Sequence, residues 1–261
     1  MLSLTDQAAV NILQRLVENF GFRQLSPTLY RKDVVDVICV EGSMLKADDQ
    51  VAKVDADLIL VASKHVSESG RPCILAHSTG NWGASAEYGG RPENLSMTSA
   101  RALHATVHRA LEAVDSLGLK NVEVGMEATH HGPYSEKPLI FVELGSSPRE
   151  WMDSAMAEAV AQTINNVCFD KSWRAPEPAA GFGGGHYARD ILRPVLDNQY
   201  CVGHVASKHH FPLSNKATVQ AFTRTIERPR TALIDWDGLK SEHRNQLLQY
   251  LAELDVEVVK V

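Results

Sequence analysis

The 261-residue chain has little cysteine, no excess of positive charge and no long apolar run, and each shortage removes a class of protein. Its four cysteines, Cys39, Cys73, Cys168 and Cys201, stand far apart and form no CxxC pair. That spacing argues against a thiolate zinc knuckle and a disulfide scaffold, and predicts reduced core residues. No apolar stretch approaches the length that spans a bilayer, and the opening MLSLTDQAAV lacks a basic start followed by an apolar segment. A soluble, cytoplasmic protein with no membrane partner is expected. The net charge of −6 does not advertise nucleic-acid binding, so any polyanion must be held by a local basic patch. There is no internal repeat and no HExxH or HxH spacing. The glycine run GFGGGH lacks both the Lys-Ser/Thr of a P-loop and a Rossmann spacing.

What is present is a chain that is 44% apolar, enough for a full core in one α/β domain over residues 1–261 or in two tightly joined lobes. Ala9, Leu13, Leu16 and Phe20 recur at helical spacing, with Thr5 or Asp6 as cap and Gly21 as stop. The β-rich runs 34–40, 57–63 and 72–78 read as strands of a largely buried sheet. Leu103, Val107, Leu111 and Val114 stripe a helix that opens near Ser96 or Thr98 and closes at Gly118. NVEVGMEAT and PLIFVEL read as two strands joined by a short polar loop. Ser147, Pro148 and Glu150 form a capping-box start for a helix reaching about Val167. Further on come a strand over 201–207, a helix over 215–226, the strand TALIDW, a helix over 241–254 and a last strand, VEVVKV. This alternation predicts an α/β fold in which a sheet is flanked by helices, with ligands gathering where strands end in loops.

Polar clusters fall at such ends. His77 follows the apolar CILA, Glu127 to His131 close another run, His186 follows three glycines, and His204 and Lys208 to His210 bracket a further strand end. The stretch EATHHGP, 127–133, is the densest of these. In an ideal strand Glu127, Thr129 and His131 share a face, so Glu127 and His131 pair directly and His130 joins only if the chain has turned. Glu143 lies across from them if the two strands form a hairpin. Spacing alone is equally met by strand-end polar groups that satisfy loop backbone. Gly183 to Gly185 suit close backbone approach to a ligand, with a helix near Tyr187 aiming amides at an anion, or a plain flexible turn. His104 and His108 stand one helical turn apart, as a shared ligand pair or a solvated face. Trp82, Tyr88, Tyr134 and Tyr187 are placed either to stack on a base or to fill core.

Four motifs carry a resemblance further. HSTGNWG (77–83), GMEATHHGPYSEKPLIFVELGSSPREW (125–151), GFGGGHYA (181–188) and GHVASKHH (203–210) together resemble the archaeal and plant type of D-aminoacyl-tRNA deacylase. The likeness runs in family order over essentially the whole chain, most weakly before Val54 and in the final helix. It implies a cytoplasmic, monomeric, zinc-dependent hydrolase with a mixed sheet flanked by helices, like the phosphorylase/peptidyl-tRNA hydrolase group. Its substrate would be the ester joining a D-amino acid to the acceptor end of tRNA.

Ester hydrolysis needs an activated water, a base and a stabiliser for the oxyanion. For that chemistry the sequence offers His77, Glu127, His131 and His186 as zinc ligands, His130 as a further ligand or catalytic group, and Glu143 as base. A metal-free alternative has His130 or His186 orient water while the amides of Gly183, Gly184 and Gly185 hold the carbonyl oxygen. Lys208, Arg189, Arg193 and Arg174 are candidate phosphate contacts. A zinc peptidase or amidohydrolase of similar fold is the alternative enzyme, and a non-catalytic RNA-binding protein the alternative class.

Overall fold

A computed structural model of the chain describes residues 1–170 and 174–261. Its N-terminal part contains β1 (Leu2–Ser3), α1 (Gln7–Phe20), β2 (Arg23–Ser26), β3 (Leu29–Lys32), β4 (Val35–Val40) and α2 (Asp48–Ala52). The middle contains β5 (Ile59–Lys64), β6 (Cys73–Ser78), β7 (Gly80–Asn81), β8 (Asn94–Leu95), α3 (Ala100–Ser116), β9 (Glu123–Met126), β10 (Leu139–Gly145), α4 (Pro148–Trp151) and α5 (Ser154–Phe169). The remainder contains β11 (Glu177–Phe182), α6 (Arg189–Leu196), β12 (Tyr200–Ala206), α7 (Asn215–Thr223), β13 (Thr231–Ile234), α8 (Ser241–Glu253) and β14 (Glu257–Lys260).

Several helices start where a side chain can satisfy the orphan amides of the first turn. Asp6 accepts from Ala9 N, Ser99 from Ala102 N and Ser214 from Ala217 N. The capping box at Ser147 and Glu150 forms as expected, but the helix it opens stops after one turn. Asp153 then caps a second helix by accepting from Ala155 N and Met156 N, so the single helix read from the sequence is two.

Most strands join one mixed sheet of eight, in the order β2-β3-β4-β1-β5-β10-β6-β9, and β12-β11-β13-β14 form a second, parallel sheet of four. The order corrects one expectation. β9 and β10 do not pair as a hairpin, because β6 lies between them, antiparallel to β10 and parallel to β9. Side chains alternate across the large sheet with period two. Leu60, Ala62, Ile74, Ala76, Ile140 and Val142 face the layer of α1, α3 and α5, while Ile59, Val61, Leu139 and Phe141 face a smaller core that includes Met44 and Val51. The second sheet is sandwiched in the same way: Ala179, Val205 and Leu233 join the first core, and Ala180, Ala206 and Ile234 pack with α7 and α8. Both sheets thus share one apolar layer built around α3, and none of the described helices is long and apolar enough to cross a membrane.

Candidate functional site

The face of the large sheet that carries Phe141 also carries its polar residues. Register places Phe141 beside His77 and Glu143 beside Ser63, and the alternation that sends Met126 to the helix layer sends Glu127 to the opposite side. The chain then leaves strand geometry. Ala128 N donates to His186 O, Thr129 N to Val205 O, and Gly80 N to His131 O, so residues 127–131 bridge the two sheets. His131 adopts the left-handed conformation, with φ 42°, a backbone state that a non-glycine residue adopts at a cost of about 1–3 kcal/mol. That turn brings His130 to the same place as His131, against the simple face-sharing expected of a strand.

Seven residues converge: His65, His77, Glu127, His130, His131, Glu143 and His186. Three subsets place one donor atom per residue within 4.8 Å of one another: His77 with His130 and His131, Glu127 with His130 and His186, and His65 with Glu127 and Glu143. Phe141 forms the apolar floor, stacked on His77 at 5.3 Å and edge-on to His131 at 4.9 Å. All of these but His77 line a cavity of about 340 Å³ whose rim includes Ser43, Leu45 and Lys64.

Three of the imidazoles are aimed by the backbone. Nδ1 of His77 lies 3.1 Å from Ser78 O, Nδ1 of His130 lies 2.8 Å from Ala128 O, and Nδ1 of His131 lies 2.5 Å from Gly132 O. A carbonyl only accepts, so each Nδ1 carries a proton, and on a neutral ring, as at His130 and His131, Nε2 then presents a lone pair. This is the tautomer that suits a metal ligand. Burial, reinforced by the other imidazoles, holds His130 far below the ordinary histidine range, and burial takes His131 down to about 3, so both are neutral at physiological pH.

The carboxylates are placed differently. Glu143 accepts from Ser63 Oγ at 2.9 Å and lies 3.3 Å from His65 Nδ1. Burial alone would raise its pKa, but His65 and His77 outweigh burial and hold it well below the usual carboxylate range. Conversely, burial opposes charge on His65 and His77, and Glu143 and Glu127 outweigh it, so both imidazoles titrate above their ordinary value. Glu127 is only 1% exposed, and neither of its oxygens has a hydrogen-bond donor. His186 Nε2 comes within 2.8 Å of Glu127 Oε1 without the alignment of a hydrogen bond. His77 Nε2 is likewise buried and unpartnered, at 3.6 Å from Glu143 Oε1, a charge contact rather than a hydrogen bond. Such orphaned buried groups are costly. Here they face one another, which is the donor set of a cation site rather than of a packed core.

Other sequence candidates lie elsewhere or are already engaged. Gly183 N donates to Ala206 O and Gly184 N to Asp235 Oδ2, so these two amides stitch the loop to the second sheet, and of the three expected to hold a carbonyl oxygen Gly185 is left as the candidate. The helix expected near Tyr187 begins at Arg189, and Ala188 at its start makes no side-chain cap bond. Arg189 is exposed, 3.6 Å from Glu123, beside a small cavity of about 80 Å³ lined also by Arg71 and Tyr187. Lys208 is exposed on a short turn ending at His210, and Arg174 and Arg193 are exposed. His204 is a core residue bonded to Thr129 Oγ1 and Ser96 O, and burial takes it down to about 3. His104 and His108 lie 4.2 Å apart away from the cluster, and His108 Nε2 meets Val195 O.

His65 is the member that sequence reasoning missed. Its signal was the one used for His77, a polar residue just beyond an apolar strand, here following ILVASK. Its Nε2 lies 3.4 Å from the Tyr187 hydroxyl, which joins the glycine-run loop to the cluster.

Comparison with known proteins shows what the chain is similar to. The model of the D-aminoacyl-tRNA deacylase family matches residues 52–259. A protein of Thermococcus kodakarensis named D-aminoacyl-tRNA deacylase is 34% identical over 272 residues, covering 100% of this chain and 98% of the relative. One of the same name from Caldivirga maquilingensis is 30% identical, with 100% and 97% covered. A crystal structure described as a conserved protein of unknown function superposes with a TM-score of 0.87 at 28% identity, covering 99% of this chain and 93% of the other.

Proposed function

Because the chain belongs to the D-aminoacyl-tRNA deacylase family, we propose that it hydrolyses the ester of D-aminoacyl-tRNA, releasing a free D-amino acid and tRNA, at the histidine and glutamate cluster. The observation that carries the site is the buried carboxylate of Glu127, with both oxygens undonated, facing histidines whose free Nε2 atoms point inward. In this reading zinc would be held by three or four of His77, Glu127, His131 and His186, with His130 as the further candidate, leaving a position for water. When bound, the ion supplies Lewis acidity toward water and the ester carbonyl. The choice of zinc follows the family resemblance, and a donor set of imidazole with carboxylate fits it.

The remaining chemistry belongs to the side chains. Glu143, expected as the base, is held as a carboxylate by its two histidine neighbours, which weakens it as a proton acceptor and suits it to orient His65. His65, fixed between Glu143 and Tyr187 and lining the cavity, is the group we assign to deliver a proton to the departing ribose oxygen. Phe141 keeps the floor apolar, which strengthens each charge interaction above it. The shared core of the two sheets supports one working domain over 1–261, and the family resemblance supports the phosphorylase/peptidyl-tRNA hydrolase kind. We assign it a monomeric, cytoplasmic form, in keeping with a tRNA substrate.

The test is a comparison of bonds. Purified zinc-loaded protein is expected to release tyrosine from D-tyrosyl-tRNA while leaving peptides that carry D- or L-tyrosine intact. Peptide cleavage without release from the tRNA ester would instead establish the zinc peptidase reading.

A further inference from the structure

A second cavity, about 420 Å³, lies against the same histidines. Leu45, His130 and His131 line both cavities, so the histidine wall has a chamber on each side. The two differ in charge. The first is bordered by Asp6, Glu127 and Glu143 with one cation, Lys64. Among the described residues lining the second, Glu87 is the one carboxylate, and Trp82, Tyr88 and His210 contribute aromatic rings.

An aminoacyl ester has two unlike halves. On one side of the reacting carbonyl is the amino acid, whose ammonium favours a carboxylate-rich chamber. On the other is a nucleoside, with an aromatic base and a chain of phosphates that such a chamber repels. The second chamber suits the nucleoside. Trp82 is buried and pinned by its Nε1 donating to Thr129 O, and its ring lies 6.4 Å from that of His210. Tyr88 is 66% exposed, although its backbone is held: its carbonyl accepts from Gly132 N, and the next residue packs on Leu45. An exposed ring on an anchored backbone is a stacking platform, because every base offers a π-face. Lys208, exposed two residues from His210, stands where the phosphate chain would leave.

We propose that the Trp82–Tyr88–His210 chamber is the subsite for the terminal adenosine of the substrate, its base stacking on Tyr88, with the aminoacyl group in the carboxylate-lined chamber across His130 and His131. This assignment rests on the deacylase reading, which it deepens by orienting the ester across the histidine wall.

The experiment titrates AMP into the parent protein, Tyr88→Ala and Tyr88→Phe by calorimetry, alongside steady-state kinetics on D-tyrosyl-tRNA. Loss of one stacked base is worth about tenfold in affinity. The expected result is AMP binding by the parent, about tenfold weaker binding by Tyr88→Ala, and recovery in Tyr88→Phe, which keeps the ring. KM for D-tyrosyl-tRNA should rise with the AMP Kd, and the loss should fall in KM more than in kcat. Failure of the parent to bind AMP, or equal AMP affinity in Tyr88→Ala, overturns the assignment. So does a change in the preferred D-amino acid with AMP affinity unmoved, since that would put the acyl group in this chamber. If the parent leaves D-tyrosyl-tRNA intact, the deacylase reading falls, and the AMP titration still judges the subsite by itself.

Discussion

Glu127 concentrates the chemistry of this protein in one side chain. A carboxylate that is 1% exposed and lacks a donor on either oxygen would destabilise the fold unless a cation completes it. Glu127→Gln keeps the shape and removes the charge. It is expected to lower zinc bound per chain, measured by metal analysis after dialysis, and to reduce deacylation by about 100-fold or more. Retention of full zinc with lost activity would move Glu127 from ligand to base. His204 makes a separate, titratable prediction. It is fully buried and takes a proton only near pH 3, whereas in the unfolded chain it does so near its ordinary value of 6.5. The unfolded chain therefore binds the extra proton below about pH 6.5, and stability present above that pH is lost as pH falls. At pH 5 the loss from this residue is about 2 kcal/mol. Urea unfolding at pH 7.5 and pH 5 should show it, and His204→Gln should flatten the slope by about one proton. At this scale the sequence was informative but incomplete. His77, Glu127, His130, His131, Glu143 and His186 all stand at or near strand ends that a linear reading can find, and the structure draws them to one place. His65 escaped because a histidine between Lys64 and an exposed valine looks like loop.

The elements that matter most are the segments just past the strands. Gly132, just past residues 127–131, is tied to the loop through Tyr88, and Gly89 in that loop packs on the backbone of Leu45. It has φ +84°, and a Cβ there would lie 1.7 Å from Leu45 O, backbone that cannot step aside. Gly89→Ala is therefore expected to destabilise by about 3 kcal/mol, roughly 10 °C in melting temperature, and to disturb the Leu45 wall shared by both chambers. Gly42, with φ +89° but open space around it, is the control: Gly42→Ala carries the backbone strain alone and should cost much less in the same calorimetric scan. Helix starts were legible because caps are local, as at Asp6 and Ser147. The break at Asp153 was overlooked because no glycine or proline announces it, although Asp153, an N-cap, is the local signal of the new start. The β2–β3 hairpin was missed because RQLS is largely exposed and LYRK only half-buried, so neither shows a fully buried face. Insertion of β6 between β9 and β10 could not be read at all, because strand neighbours are set by the packing of remote segments rather than by the loop that joins two strands.

On the scale of the whole molecule, two sheets meet along a line that the site occupies, and an acidic protein must hold a polyanion there. With a net charge of −6, tRNA binding has to rely on exposed cations near the site, such as Lys208 and Arg189. Affinity for D-aminoacyl-tRNA should fall steeply between dilute and physiological salt, and Lys208→Ala should reduce the slope of log Kd against log salt by about one. A salt-independent affinity would remove these phosphate contacts from the account. The alternation of strand and helix patterns indicated α/β layers and the motifs indicated a family, yet the meeting of Glu127 with His186 depends on contacts more than fifty residues apart in the chain. The most direct test of the central claim is amino acid release from D-tyrosyl-tRNA and L-tyrosyl-tRNA by the purified protein, before chelation, after chelation and after zinc is returned. Release from the D-ester alone, lost on chelation and restored by zinc, is the predicted result; equal release from both esters, or D-selective release that chelation leaves untouched, would contradict it.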